Sequence, residues 1–560
     1  MKKWPKLLII AAGVFVVLIS FYFRARWLDI SPYSIGFDEA ALGYNAYSIL
    51  ETGKDEFGNK FPLSLASFND YKPALYAYLS IPFIKFLGLN QISTRIVSSL
   101  AGTIIIIFTT LIGYYFFSKK LALALFVLLL AAVQPWGLHY SRTAFESNLM
   151  TAFFTAGVFF IFKKKGRKNE LIAVILFALS MFSYHSTRVA APLFLLLYLF
   201  ILEKPKQLIA DFFKLRLLKL SQKFFPLIIL FLLTLPIWLS LKQGLILTRL
   251  KQENALERLY PYAPPELVNP QDIWSSFPAN PLYYLSGEIV GHFFAYFSPI
   301  NLGARVFHWV KNSPQNIASF SMLGWAESFF FLIGLLYLIK NLKRRENKII
   351  LAWIVSGIIP AIVTWTWFHP LRSLLIYPAM VIISALGMIR IFNLLPKTVK
   401  IITLFVFIPL LLMQASYVIN NELVYNVYQS HGEYQPGGFK KGVPELAKIQ
   451  DDYEKVVIET PHAQGYIFFL FYQSFPPELL QQEVSKRKPP GTEGDLSFDF
   501  YKYEFRKIYW PEDRNLKKTA FWGTTFSLPK EDILNTPGAK IIKESANVTG
   551  STTAVIVVND

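Results

Sequence analysis

TRIVSSLAGTIIIIFTTLIGYYFF, residues 94–117, carries a single charge and is followed almost at once by Lys119–Lys120. A helix needs about 17–25 mainly apolar residues to cross the hydrocarbon core of a bilayer, so this stretch reads as a transmembrane helix ended by a cationic stop. Working outward from it, comparable runs fall near 7–23, 121–138, 146–162, 170–184, 187–202, 224–241, 320–339, 349–366, 372–391 and 400–419. Eleven spans are expected, and with them an α-helical polytopic membrane protein. The first run follows MKKWPK and continues through Phe21, Tyr22 and Phe23 without a small-residue cleavage motif, so it is read as a retained anchor.

Composition agrees. Of 560 residues 53% are hydrophobic and only 17% are charged, which excludes a purely soluble protein and a disordered one. No Cys is present, which removes thiolate catalysis, iron–sulfur clusters and disulfides. The net charge of +19 could suggest nucleic acid, but the cations follow a topological pattern instead. MKKWPK, Lys119–Lys120, KKKGRK at 163–168, the basic stretch from Lys204 to Lys223, KNLKRRENK at 340–348, and Arg390 with Lys397 and Lys400 all fall on one side of the eleven spans. Cations resist translocation, so that side is the cytoplasm and no nucleic-acid partner is expected. The other face then holds an outer loop at 24–93, tight turns near 139–145, 184–187 and 366–371, a long loop at 242–319, and everything after 420. The expected domains are a membrane domain over 1–420 and an extracytoplasmic α/β domain over 421–560.

Three outer turns share one spacing: His139-Tyr-Ser-Arg142, His185-Ser-Thr-Arg188 and His369-Pro-Leu-Arg372. Residues three apart share a helix face. Interfacial Arg and His can simply snorkel to headgroups, and any one pair is consistent with that. Three together suit a phosphate presented from the bilayer, because a guanidinium keeps its charge and forks onto phosphate oxygens. A tri-His metal site is the alternative, disfavoured because an Arg beside each His repels a dication.

The first outer loop holds two adjacent acid pairs, Asp38–Glu39 and Asp55–Glu56, neither with a sequence-local cation. Asp38 and Glu39 directly precede AALGYNAYSIL, whose Leu42, Tyr44, Ala46, Tyr47 and Leu50 suit an interfacial helix. The acids would sit at its N-terminus, as a cap or as a base for a hydroxyl. Lys72 stands just before Pro73, which can start a helix, and could meet a phosphate or snorkel.

These stretches resemble the dolichyl-phosphate-mannose protein mannosyltransferases and their bacterial relatives, including the aminoarabinose transferase acting on lipid A, glycosyltransferase family 39. The resemblance is carried by GFDEAALGYNAYSIL at 36–50, TGKDEFGNKFPL at 52–63, YKPALYAYL at 71–79 and STRIVSSLAGT at 93–103. It continues through HYSRTAFESN at 139–148, YHSTRVAAPL at 184–193, YFSPINL at 296–302, MLGWAESFFFLIGL at 322–335 and FHPLRSLLIYP at 368–378. It implies a GT-C fold and inverting transfer of a sugar from a polyprenyl-phosphate donor to a hydroxyl on a lipid, glycan or protein acceptor, outside the cytoplasmic membrane. Residue by residue it implies Asp38 as general base, Glu39 as its neighbour orienting the acceptor or tuning that acidity, and Glu146 as the second acid, positioning the acceptor or Lys72. It implies Lys72, Arg142, Arg188 and Arg372 on the donor phosphate, with His139, His185 and His369 beside them. No cofactor is required and a divalent cation is left open. Ala74 after Pro73, and Glu146 where Asp is frequent, depart from the pattern without changing the class.

YLSGEIVGHFFAYF at 284–297 fits an outer amphipathic helix containing His292, to which no role is assigned. After residue 420, KVVIET, KYEFRKIYW, AFWGTTF, KIIKES and TAVIVVND read as strands, with helices over 444–453 and 466–475. A polyprenyl-linked glycan transporter or flippase is the competing function, since it too needs outward cations and buried acids. Paired interrupted helices in corresponding halves would favour it, and the sequence has none.

Overall fold

The computed structural model of the chain describes residues 3–68, 70–163, 166–203, 217–240, 281–303, 322–364, 366–429, 436–460, 463–484, 498–546 and 550–560. Most of the expected loop at 242–319 and much of the basic stretch from 204 lie outside the described residues. The described chain is mainly helical, and each expected span coincides with a helix or a helix pair. Four helical stretches, Lys6–Ala25, Gln91–Phe116, Pro370–Leu394 and Lys397–Tyr425, are long and apolar enough to cross a membrane by length and composition. The others are shorter, and proline explains two of the breaks. The run expected over 121–138 stops at Leu121–Ala132 and restarts as Pro135–His139, where Gln134 Oε1 accepts the Gly137 N–H at 2.6 Å. The run expected over 224–241 divides into Leu217–Leu233 and Leu235–Leu239, with Pro236 in the new first turn. Proline lacks the N–H that would continue a helix but is tolerated where one begins.

The chain forms two compact units that cross the sequence several times. The first comprises Met1–Arg24, Ser98–Ser141 and Glu146–Ile419. Its helices pack through small residues and aromatic rings. Between Trp325–Lys340 and Tyr377–Leu394, a Cβ added at Gly334 would stand 2.0 Å from the Ile383 carbonyl oxygen, and one at Gly387 2.0 Å from that of Phe330. Only glycine allows this approach, the usual device where no hydrophobic force favours helix over lipid contact. Phe154 adds ring contacts to Phe177, Phe194 and Trp353 at centroid separations of 4.9, 5.5 and 6.1 Å. Large side chains such as Leu8, Phe15, Phe405 and Leu412 stand exposed on helices Lys3–Ala25 and Lys397–Asn420, a surface suited to lipid.

The second unit comprises Ala25–Val97, Arg142–Phe145 and Asn420–Asp560. It contains helices Phe37–Thr52 and Leu75–Leu87, and an antiparallel pair of β1 (Ser64–Ser67) with β2 (Asp70–Pro73). A six-stranded sheet follows, from β3 (Lys455–Glu459), β4 (Phe498–Phe500), β5 (Tyr503–Arg506), β6 (Thr519–Thr524), β7 (Ala539–Ala546) and β8 (Thr552–Asn559), in the order β4-β5-β3-β6-β8-β7. Strand β3 runs parallel to β5 and β6, and the other pairings are antiparallel. Alternation along each strand separates two cores. Val456, Ile458, Ala520, Trp522 and Ile556 face helix Tyr466–Gln473, and that same core includes Ala40, Ala41, Tyr44 and Phe68 of the first outer loop. Val457, Phe521, Val555 and Val557 face Trp510 and Ile533. Residues expected in two different domains thus share one interior.

Helix Phe37–Thr52 differs from the expected interfacial helix. Leu42, Tyr44 and Ala46 are all fully buried, and its polar residues are satisfied internally: Asn45 donates to the Ala41 carbonyl at 2.9 Å and Ser48 to that of Lys54 at 2.8 Å. Its middle therefore belongs to a protein core, while Asp38 and Glu51 near its two ends stay exposed.

Candidate active site

In the second unit, four of the expected residues sit around the start of helix Phe37–Thr52. Gly36 is its N-cap, and the Gly36 N–H donates to Glu39 Oε2 at 3.0 Å, closing a capping box. Glu39 Oε2 also accepts from Arg95 Nη2 at 2.9 Å, while Oε1 accepts from Arg95 Nε at 2.9 Å and from the Ala144 N–H at 2.6 Å. A carboxylate offers about four acceptor positions, and four donors fill them. Glu39 therefore spends its acceptor positions within the protein, at the helix start next to Asp38. Its partner Arg95, fully buried, donates further to the carbonyls of Leu28, Pro32 and Ser34 at 2.6, 2.8 and 2.7 Å. The Glu39–Arg95 pair ties together the helix start, the loop over 28–36 and the short segment Arg142–Phe145.

Arg142, expected on the donor phosphate, is engaged with the main chain. Its guanidinium is completely buried and donates to the carbonyls of Arg26 and Ser31 at 2.9 and 2.7 Å, with that of Trp27 at 3.4 Å. Main-chain oxygens take the fork that a lipid phosphate would need.

Asp38 is placed differently from its neighbour. Its carboxylate is half-exposed, and one oxygen lies 3.0 Å from Lys72 Nζ. Lys72 comes from β2, its side chain mostly buried and its ammonium 5.0 Å from the Phe68 ring centroid. An accessible carboxylate held by one lysine can take a proton from an incoming hydroxyl, provided the pair is not sealed off.

The second acid pair lies deeper. Asp55 accepts the N–H groups of Phe57 and Asn59 at 3.0 and 2.8 Å, folding the turn on itself. Glu56 is fully buried, receives Asn45 Nδ2 at 3.2 Å and the Tyr466 hydroxyl at 3.0 Å, and lies within electrostatic reach of Lys72. Burial pushes its carboxyl from the usual 4.5 up to about 8, against the hydrogen bonds that pull it down. The folded state then holds a proton that the unfolded chain has released. Stability from this group is complete at pH below about 4.5 and declines as pH rises toward about 8. Glu56→Gln, which copies the neutral acid, is expected to flatten that decline in a series of thermal melts between pH 5 and 8.5. An unchanged slope would show that Glu56 is not the group responsible.

The remaining expected residues lie in the first unit. Glu146 is buried in the first turn of helix Glu146–Phe162. The three His-x-x-Arg turns are not equivalent. The Arg188 and Arg372 N–H groups each bond the carbonyl of the histidine three residues before, at 3.0 and 3.1 Å. His139, by contrast, is the last residue of helix Pro135–His139, so Arg142 falls beyond the helix end. His139 is buried, whereas His185 and His369 are half-buried. Tyr296 meets the last of these turns, its hydroxyl accepting the His369 N–H at 2.9 Å. Arg372 is half-buried, with Nη1 donating to Thr366 Oγ1 at 3.1 Å. Among the described residues no three His, Asp or Glu side chains gather as a metal site.

Arg188 has the most suggestive surroundings. It lines a cavity of about 500 Å³ with Met181, Pro192, Leu196, Leu230, Phe231 and Trp238, and among the described lining residues it is the only charged one. Val189 and Phe231 line the same cavity and stand exposed, so it reaches the apolar outer surface. Arg188 Nη1 is buried with no hydrogen-bond partner among the described residues, and Nε has only the Met181 carbonyl at 3.5 Å. An orphaned guanidinium nitrogen in an apolar cavity is costly unless an anion joins it.

Sequence reasoning missed Arg95 and Tyr296. Arg95 could have been found, since an Arg in the first turn of an apolar span demands a partner. Tyr296 opens the YFSPINL stretch, but nothing there gives it a role of its own.

No protein-family model matches the chain, and no curated protein matches it by sequence. Solved structures do. ArnT from Cupriavidus metallidurans in the apo state is similar with a TM-score of 0.54 and 11% identity, over 98% of this chain and 97% of that one. The same protein bound to undecaprenyl phosphate gives 0.52 and 11%, over 99% and 98%. The archaeal oligosaccharyltransferase AglB from Archaeoglobus fulgidus, in complex with an inhibitory peptide and a dolichol-phosphate, gives 0.50 and 14%, over 88% of this chain and 65% of that one. At such identities the likeness is one of fold, and it is the GT-C fold that the sequence resemblance implies.

Proposed function

We propose that the protein is an inverting glycosyltransferase that moves a sugar from a polyprenyl phosphate to a hydroxyl acceptor on the outer face of the cytoplasmic membrane. The observation that carries this reading is the Arg188 cavity, which offers apolar walls for a prenyl chain and an orphaned guanidinium nitrogen for its phosphate. The fold supports it, because ArnT binds undecaprenyl phosphate and AglB a dolichol-phosphate in the same architecture.

In this reading Arg188 and Arg372 of the first unit hold the donor phosphate. In the second unit Asp38 removes the proton of the acceptor hydroxyl, with Lys72 as its counter-ion. The acceptor oxygen bonds to the anomeric carbon from the face opposite the phosphate. The carbon–oxygen bond to phosphate breaks, and the electron pair leaves on the polyprenyl phosphate. Arginines help most at that moment, since charge on the departing oxygen grows in the transition state. Glu146 is assigned as a second carboxylate orienting the acceptor, a role that Glu146→Gln with normal turnover would reject.

The test is direct. Mass spectrometry of lipids that co-purify with the protein in detergent should reveal a polyprenyl phosphate or its glycosylated form. Arg188→Met keeps apolar bulk while deleting the charge, and it is expected to weaken polyprenyl-phosphate binding by about 1.5–3 kcal/mol, with Arg188→Lys intermediate. Unchanged affinity in Arg188→Met would remove the donor site from this cavity.

A further inference from the structure

Helix Pro281–Phe297 carries Glu288, His292 and Tyr296 at intervals of four, on one face of an otherwise apolar helix. His292 and Tyr296 are fully buried, and both find their partners on the turn that leads to Arg372. The Tyr296 hydroxyl accepts the His369 backbone N–H at 2.9 Å and donates to the His369 carbonyl at 3.3 Å. Its ring packs on Phe368 with centroids 5.1 Å apart. His369 is the N-cap of helix Pro370–Ser373, and the Arg372 N–H closes that helix on the same carbonyl. One hydroxyl therefore fixes both main-chain groups of the residue from which Arg372 is launched.

His292 holds the far end of the turn. Its Nδ1 lies 2.9 Å from the carbonyl of Ile362, the last residue of helix Arg345–Ile362. A carbonyl only accepts, so Nδ1 carries the hydrogen. Nε2 lies 3.1 Å from the Glu288 carboxylate, and the ring meets Trp367 edge-on at 5.4 Å. Gly291 permits this approach, since a Cβ there would sit 3.0 Å from Trp367 Cη2. The helix grips the turn at both ends, and the guanidinium leans back on Thr366 within it.

We propose that Tyr296 is a positioning residue for the donor phosphate, acting through His369 to set where the Arg372 guanidinium stands, with His292 anchoring the opposite end of the turn. This rests on the reading of Arg372 as a phosphate ligand. The experiment is a double-mutant cycle on polyprenyl-phosphate affinity in nanodiscs, with a thermal melt of each variant. Tyr296→Phe keeps the ring on Phe368 but leaves the His369 N–H without its acceptor. It is expected to weaken binding about five- to tenfold with a near-normal melt. Arg372→Met should weaken binding at least as much, and Tyr296→Phe should add nothing in the Arg372→Met background, because the group it positions is gone. A silent Arg372→Met overturns the phosphate reading of that residue and this proposal with it. A weakened Arg372→Met beside a silent Tyr296→Phe, or full additivity in the double variant, overturns the positioning role alone. Should Tyr296→Phe not fold, His292→Gln through the same cycle decides between the same outcomes.

Discussion

Asp38→Asn should lower glycosyl transfer by about 10²–10⁴-fold, the usual contribution of a positioned general base, while polyprenyl-phosphate affinity stays within about twofold of wild type. The substitution preserves shape and still offers an oxygen to Lys72 Nζ, now 3.0 Å from the carboxylate. What it removes is the capacity to take a proton. Because Asp38 is half-exposed, its pair with Lys72 adds little to stability, so the melt should hardly move. Single-turnover rates with pre-bound donor separate the chemical step from binding. Near wild-type rates would leave Asp38 as a counter-ion for Lys72 and send the search for the base to Glu146.

Arg95→Met should have the opposite profile, a loss of stability rather than of a chemical step. The pair it breaks is buried on both sides, with side-chain exposures of 0% for Arg95 and 6% for Glu39. Removing one partner leaves a carboxylate in the interior with two backbone N–H groups, and strips donors from three carbonyls besides. Breaking a buried pair in this way costs about 3–5 kcal/mol. The Arg95→Met/Glu39→Gln double variant should recover part of that loss, since no charge is then stranded. Thermal melts of the purified variants decide the matter. A shift worth less than about 1 kcal/mol in Arg95→Met would mean that the loop over 28–36 is held by something else.

The helical architecture was legible because lipid imposes a one-dimensional rule on sequence: a segment either has enough consecutive apolar residues or it does not. Eleven runs could be read off; four described helices are long and apolar enough to cross a membrane, and two runs divide at Pro135 and Pro236. The site was legible only in part. Asp38 and Lys72 stand out through the stretches that resemble the glycosyltransferase family, yet their pairing spans 34 positions and no local pattern announces it (72 − 38). Glu39 looked like a twin of Asp38 because the two are adjacent, whereas consecutive residues on a helix point in directions about 100° apart. One turned toward an accessible edge and the other into Arg95. The three His-x-x-Arg stretches looked alike for a similar reason. Spacing of three has meaning only inside a helix, and the helix beneath His139 has already ended at that residue.

The second unit draws on three separate pieces of chain, and this sets an order on how the protein can be made. Helix Phe37–Thr52 emerges from the ribosome early, but the Tyr44 hydroxyl bonds the carbonyl of Phe475, and Glu56 its Tyr466, more than 400 residues later in each case. Nearly the whole helical unit must be synthesised and inserted before those partners exist. Until then a helix whose Leu42, Tyr44 and Ala46 will become fully buried has no interior to enter. Closure at such separations is slow, and apolar surface that waits is open to wrong partners and to proteases. An unfinished chain would therefore hold helix Phe37–Thr52, with Asp38 in its first turn, without the partners that later enclose it.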